Sequence, residues 1–427
     1  MPEKPRTATA LMVFSICVLY IQQMAPSPLL GAIGDYYHII QNDALLNLSV
    51  SIIFPSVIAA SLFGSVIEQK IGTRALFMLT VVFASLGFAV NFAAGSYLMF
   101  LVGRLLYGVG FGFGIPFIGS AIMSWYTGRQ RYFMNTVNGL FPFVGAVISF
   151  GIMAPLYSLL GGSLKITFGI WAIPLLVVLF VWNSLFQKKK GGHPSDNPPA
   201  IEPVRERGLY RKLLKQKNIR MLCAAFICDF LCYSYIAIAL PTYLHELSGI
   251  SESMAGLLAA FVFPAAGILG AVAGGMLISL TGRRKPTLAA GQLLKFFGGV
   301  IAAAGSMLSL GVVMFGVVLF GFGNALWMPP MYTVPTELEN MNGARVAAAF
   351  SIISSFGFAA GFIGPIIGGW LTNQFMLLSG AGNPVLSHVF GLRWSLFIYS
   401  FVNVIALICV LRMSETGKKR AVMGSSR

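Results

Sequence analysis

The sequence predicts an all-α membrane protein of twelve spans arranged as two six-helix bundles, and three observations carry that reading. Of the 427 residues, 57% are hydrophobic and only 10% charged, which is more apolar surface than a water-soluble protein of this size covers. The apolar runs suit helices, which need about 20 residues to cross the hydrocarbon core. The strict alternation over ~10 residues that marks barrel strands is absent. One stretch also occurs twice. Ser65-Val66-Ile67-Glu68-Gln69-Lys70-Ile71-Gly72-Thr73-Arg74 and Gly275-Met276-Leu277-Ile278-Ser279-Leu280-Thr281-Gly282-Arg283-Arg284-Lys285 each lie between long apolar runs. Their turn glycines, Gly72 and Gly282, are 210 residues apart, about half the chain, as a duplicated bundle requires.

In order, the spans are expected at 8–32, 44–67, 75–94, 96–123, 133–160, 164–186, 219–244, 252–280, 286–308, 310–335, 344–376 and 392–411. The first six make an N-terminal bundle over 1–187, and the last six, with a short tail, a C-terminal bundle over 219–427. Asp35-Tyr36-Tyr37-His38 is echoed by Thr242-Tyr243-Leu244-His245, and helix-start signals follow both, at Asn42-Asp43 and Ser251-Glu252. Between the bundles, 188–218 is a polar linker: Lys188 to Lys190, Gly191-Gly192-His193-Pro194 and Pro198-Pro199 cannot bury a core. Its last part, Leu209 to Lys217, reads as a short basic amphipathic helix on an anionic leaflet. The start, Met1-Pro2-Glu3-Lys4-Pro5-Arg6, runs into a full span without a cleavage site and is read as no cleavable signal.

The net charge is +16, yet its placement argues against nucleic acid. With the N-terminus cytoplasmic, all Lys and Arg except Lys165, Arg393, Arg104 and Lys295 fall on the cytoplasmic side. The positive-inside rule then puts both termini in the cytoplasm and the chain in the cytoplasmic (inner) membrane as a multi-pass protein. The lipid bilayer is its expected surroundings and a monomer its expected state. Cys17, Cys223, Cys228, Cys232 and Cys409 all sit in spans without metal-ligand partners and are read as packing. No cofactor, metal or nucleotide is expected, and no catalytic constellation marks an enzyme.

At the two turns and in two spans the chain resembles the major facilitator superfamily, and the resemblance covers nearly all of it. The family's loop motif, roughly G-x-L-x-D-R-x-G-R-R, is matched in the second copy by Gly275, Leu277, Gly282, Arg283 and Arg284, with Ser279 where Asp is common. In the first copy Gly72 and Arg74 match, Gln69 takes the Asp position and Ser65 the first Gly. Span four carries Arg104-Leu105-Leu106-Tyr107-Gly108-Val109-Gly110, similar to R-x-x-Q-G-x-G, and span eleven carries Gly361-Phe362-Ile363-Gly364-Pro365-Ile366-Ile367-Gly368-Gly369, similar to G-P-x-x-G-G. The resemblance implies two bundles related by a pseudo-two-fold axis along the membrane normal, with substrate bound between them near the midplane and exposed alternately. It also implies a cytoplasmic gate at Gln69, Gly72, Arg74, Ser279, Gly282, Arg283 and Arg284. An Asp in that loop normally pairs with an Arg and a helix end. Gln69 and Ser279 remove the charge from both copies, and Glu68, one position away, is turned by ~100°, so a weakened latch is expected.

Charges inside the membrane are costly and usually functional. Three are expected: Asp229 about ten residues into span seven, Lys295 about nine into span nine and Arg104 about nine into span four, all ~14–15 Å deep. Asp229 and Lys295 share a depth and can pair, either as a structural bridge or as a pair that protonation of Asp229 breaks; Lys295 can instead snorkel, because span nine is peripheral in the family. Arg104 matches the family's span-four arginine, with Gln22 and Gln23 of span one as candidate partners. It is either a packing clamp, a counter-charge for an anionic substrate or a member of the coupling network. Spans one, four, seven and ten line the cavity in the family. This makes Tyr107, Asp229, Tyr233, Asn324, Trp327 and Met328 candidate substrate contacts, the last three with Met331 on one face at i, i+3, i+4, i+7 spacing.

These readings point to a secondary active transporter for a small organic solute, anion or zwitterion, coupled to a proton by symport and broadly similar to bacterial cyanate and organic-anion permeases. The competing reading is proton-coupled efflux of drugs or organic cations. Against that, span one has no mid-helix acid, and the clean G-P-x-x-G-G stretch lies in span eleven rather than span five.

Overall fold

The computed structural model describes residues 5–39, 42–126, 128–186, 209–339, 341, 343–380 and 382–417. Among them are no strands and twelve helices long and apolar enough to cross a membrane. These are Arg6–Met24, Asp43–Gly64, Lys70–Ala93, Tyr97–Ile122, Val137–Leu159, Leu164–Ser184, Lys217–Ser248, Glu252–Thr281, Lys285–Gly305, Leu310–Glu337, Ala348–Leu378 and Pro384–Arg412, called spans one to twelve below.

Side-chain caps start many of them, answering the N–H groups that the first turn of a helix leaves without an intrahelical partner. Asn42 accepts from Leu45 N, Ser96 from Met99 N, Ser309 from Val312 N, and Asn383 from both Val385 and Leu386 N. The two basic turns rest on glycines with positive φ. Gly72 (φ 84, ψ 159) breaks the helical run between spans two and three, and Gly282 (φ 67, ψ 5) caps span eight in the left-handed region, which costs a residue with a Cβ about 1–2 kcal/mol. Elsewhere glycine lets helices touch. A Cβ on Gly110 would lie 2.6 Å from Ala84 N of span three, and one on Gly298 of span nine 2.5 Å from Phe320 N of span ten. The span-eleven glycines act similarly at Gly364, where a Cβ would lie 2.6 Å from the Leu231 carbonyl oxygen.

Four departures from the sequence reading have local causes. Span one stops at Met24 instead of 32, because Pro26 and Pro28 cannot donate to a helix ladder. A 3-10 turn over Ser27–Leu29 and a short helix over Leu30–Tyr37 follow. Span twelve starts at Pro384, eight residues before the expected 392, under the Asn383 cap, so Arg393 lies inside the span and not at its mouth. Span eight contains a π turn over Phe261–Ala265, at Pro264. Span ten ends its regular helix at Leu326 and restarts as Met328–Thr333 at Pro329 and Pro330.

Packing divides the chain into two compact units. Unit one holds Met1–Ile201 with Ile238–His245 and Ile250–Ala260, and its core includes the aromatic cluster of Phe77, Phe117, Trp125 and Trp182. Unit two holds Glu202–Ala237, Glu246–Gly249 and Phe261–Arg427. The division by sequence follows the chain and this one follows packing; they part at the ends of spans seven and eight. Most of the expected linker, 188–208, lies outside the described residues, but its last part is described and forms a helix over Leu209–Lys215.

Candidate functional site

Among the described residues, the buried charge of unit one is Arg104, which has no exposed surface. Its Nε donates to the Ser49 carbonyl at 3.0 Å, Nη1 to the Gln22 carbonyl at 2.7 Å and Nη2 to the Gln23 carbonyl at 3.0 Å. The reason lies in span one. In a continuing helix the Gln22 carbonyl would accept from residue 26, but Pro26 has no N–H. The freed carbonyls at the negative end of that helix suit a cation. The expectation that Gln22 and Gln23 partner Arg104 is met by their backbone, not by their amides. The Gln22 Nε2 instead lies 4.0 Å from the Met153 sulfur, and its Oε1 is buried without a hydrogen-bond partner. One turn on, Tyr107 donates its hydroxyl to the Leu19 carbonyl and sets its ring 5.1 Å from the Arg104 guanidinium carbon. Span one is thus tied to span four by two side chains and to span two through Arg104.

Unit two buries an ion pair. Lys295 Nζ pairs with Asp229 Oδ1, and both side chains are at most 1% exposed. Lys295 therefore does not snorkel. It also reaches the Asp229 carbonyl at 3.4 Å and lies 5.2 Å from the centre of the Phe320 ring. Gln292, one turn before Lys295, donates to Asp229 Oδ1 at 3.2 Å. Asp229 Oδ2 and Gln292 Oε1 keep no hydrogen-bond partner, and the Trp327 indole N–H interacts with the Asp229 carboxylate without reaching full hydrogen-bond geometry. Gln292 was not singled out by sequence, although its i, i+3 relation to Lys295 puts both on one face. Cys232, a turn beyond Asp229, donates its thiol to the Tyr399 carbonyl and accepts from Asn403 Nδ2, each at 3.2 Å.

The expected span-ten face divides at the helix break. Asn324 and Trp327 are buried, with Trp327 packed between Phe226 of span seven and Gly291 of span nine, whereas Met328 starts the next helix half-buried. Tyr233 is half-buried, its ring against Phe230 and Phe263. A second pair in unit two, His388 Nδ1 with Glu246 Oε2 at 2.6 Å, joins the ends of spans seven and twelve. Sequence reasoning missed it because His388 fell in an expected loop.

At the basic turns, the first copy keeps its own Glu68, while the second takes its carboxylates from distant chain. In unit one, Glu68 accepts from the Thr73 hydroxyl at 2.8 Å and the Ser120 hydroxyl at 2.9 Å, while Arg74 donates to Asn183 Oδ1 at 3.1 Å. The Gln69 side chain lies outside the described ones. In unit two, Ser279 bonds back to the Met276 carbonyl of its own helix and Arg283 is exposed. Arg284 grips Glu337 with Nε and Nη2, the shortest contact being 2.7 Å, and donates through Nη1 to the Ile278 carbonyl at 2.9 Å. Glu415 then accepts from the Arg284 and Lys285 backbone N–H groups at 2.8 and 3.1 Å, capping span nine from the tail. The Arg284 side chain is thus paired by Glu337 and the helix end by Glu415, 131 residues along the chain from Arg284, and Ser279 takes part in neither.

Among the described residues, twelve apolar spans in two helical units, with charged groups buried within them, define a polytopic membrane protein. The family model described as Major Facilitator Superfamily matches residues 12–343 and 222–425, and the chain belongs to that family of transporters. Among relatives, the hexuronate transporter of Bacillus subtilis (strain 168) is 26% identical over 378 residues, covering 80% of this chain and 83% of its own. A sugar transport protein of rice, Oryza sativa subsp. japonica, is 30% identical over 143 residues, but the match spans only 28% of that protein. Among solved structures, a bacterial homologue of the human lysosomal transporter Spinster superposes with a TM-score of 0.79 at 15% identity, covering 96% of this chain and 98% of its own. A nucleoside transporter superposes at 0.68 with 13% identity, covering 94% and 99%. At those identities the structures establish the fold alone.

Proposed function

We propose that this protein is a secondary active transporter that moves a small organic anion or zwitterion by alternating access, in symport with a proton. The observation that carries the coupling is the buried Asp229–Lys295 pair, in which one carboxylate oxygen accepts no hydrogen bond of full geometry. A buried pair survives only while each charge is compensated. Protonation of Asp229 would remove the compensation and release Lys295, changing how spans seven and nine are held together. Arg104, whose Nε, Nη1 and Nη2 each donate to a backbone carbonyl, serves in this reading to fix the end of span one. An anionic sugar-acid substrate is supported by the relative named as a hexuronate transporter, which aligns over most of both chains. The basic turns, linker and tail support a cytoplasmic-membrane orientation with both termini inside.

The efflux reading has less support, because Asp229 is already matched by Lys295 and presents no spare anion to a lipophilic cation. The deciding experiment is uptake of radiolabelled glucuronate into proteoliposomes with an inwardly directed proton gradient. Gradient-driven accumulation by wild type, lost in Asp229→Asn while counterflow exchange persists, is the expected result. Accumulation that ignores the gradient would overturn the coupling, and no uptake of any organic acid tested would overturn the substrate class.

A further inference from the structure

We propose that the helix Leu209–Lys215, the first turn of span seven and the tail segment clasped to it form a binding surface for anionic phospholipid headgroups. From Leu209 to Cys228 the chain has no acidic residue, and Arg211, Lys212, Lys215, Lys217 and Arg220 are all exposed. The apolar side of this short helix is already used: Leu209 and Leu213 are buried, and the helix packs on span eleven's helix, Gly343–Leu378. The sequence reading placed this segment as a basic amphipathic helix on an anionic leaflet. The structure turns Leu209 and Leu213 to protein, leaves Leu214 half-buried, and leaves the cations and Tyr210 outward.

Packing on span eleven fixes where those cations lie. Only Gln216 separates the helix from the start of span seven at Lys217, so the cluster sits where hydrocarbon gives way to headgroups. The tail adds to it. Asn218 and Ser414 clasp each other, Nδ2 to carbonyl at 3.2 Å and N–H to Oδ1 at 2.9 Å, which brings exposed Arg412 alongside. The next acid on the tail, Glu415, faces the span-nine amides rather than this surface. A solvated basic face needs no such anchoring. A fixed array of long cationic side chains at headgroup depth, with an exposed tyrosine among them, matches lipid phosphates and their negative surface potential.

The test compares thermal unfolding of the full chain in neutral detergent with added phosphatidylglycerol or phosphatidylcholine, for wild type, the triple variant Arg211→Gln/Lys215→Gln/Arg220→Gln and the control Lys165→Gln. Because a ligand that binds the folded state raises Tm, phosphatidylglycerol should stabilise wild type and the control beyond phosphatidylcholine. The triple variant should lose more than half of that gain, and salt of about 0.5 M should shrink it by screening. An undiminished gain in the triple variant would sink the proposal. So would an equal gain from inorganic phosphate, which would make the surface a free-anion site. The inference stands apart from the transport substrate, since it is read without one.

Discussion

Arg104 in unit one and the Asp229–Lys295 pair in unit two solve one problem in opposite ways. Both place charge within membrane spans with at most 1% of the side chain exposed. Arg104 is answered by three backbone carbonyls, acceptors that cannot change protonation. Lys295 is answered by a carboxylate, which can. The first arrangement is a fixed tie and the second is capable of switching. The difference directs the search for coupling to unit two.

The comparison breaks most sharply at Lys295. Lys295→Met leaves Asp229 buried without its counter-charge, and removing one partner of a buried pair costs about 3–5 kcal/mol. The double variant Asp229→Asn/Lys295→Met should recover most of that loss in thermal unfolding. A double variant as unstable as the single one would mean that the lysine acts through packing alone. Arg104→Lys comes next. A lysine cannot present the three-directional fork, and losing charge-assisted bonds of about 1.5–3 kcal/mol each should lower Tm by the same amount at pH 5 and pH 8. A pH-dependent deficit would erase the distinction drawn above. Gln292→Leu removes one donor to the Asp229 carboxylate, and a loss of about 1.5–3 kcal/mol in the same assay is expected. In gradient-driven uptake this variant should shift the pH optimum, which a purely structural glutamine would not do.

The smallest effect is expected at Pro26. Pro26→Ala restores an N–H that competes with Arg104 for the Gln22 carbonyl, so two gains and losses offset to within about 1 kcal/mol. Hydrogen exchange should then find a newly protected amide at residue 26. No protection there would mean that the proline is not what frees the carbonyl.

Much of this was legible in the sequence because it is local. Twelve apolar runs, two glycine turns at a fixed offset and three isolated charges need no partner to be noticed. The pairing of Asp229 with Lys295 could be read because both lie at one depth. What escaped depended on distant chain. Nothing near Ser279 announces that Glu337 will pair with Arg284 and Glu415 will cap span nine, and nothing near Arg393 reveals that the Asn383 cap draws it into span twelve. Pro26 was visible, but its effect on Gln22 mattered only once Arg104 was known to sit opposite.

The carbonyls that hold Arg104 have a consequence for how this protein changes over generations. A main-chain oxygen is the same whichever amino acid carries it, so positions 22, 23 and 49 can exchange side chains without giving up the arginine's partners. A tie of this kind leaves no correlated substitutions behind. Residue co-variation across relatives should therefore detect the Asp229–Lys295 pair and pass over the Arg104 contacts.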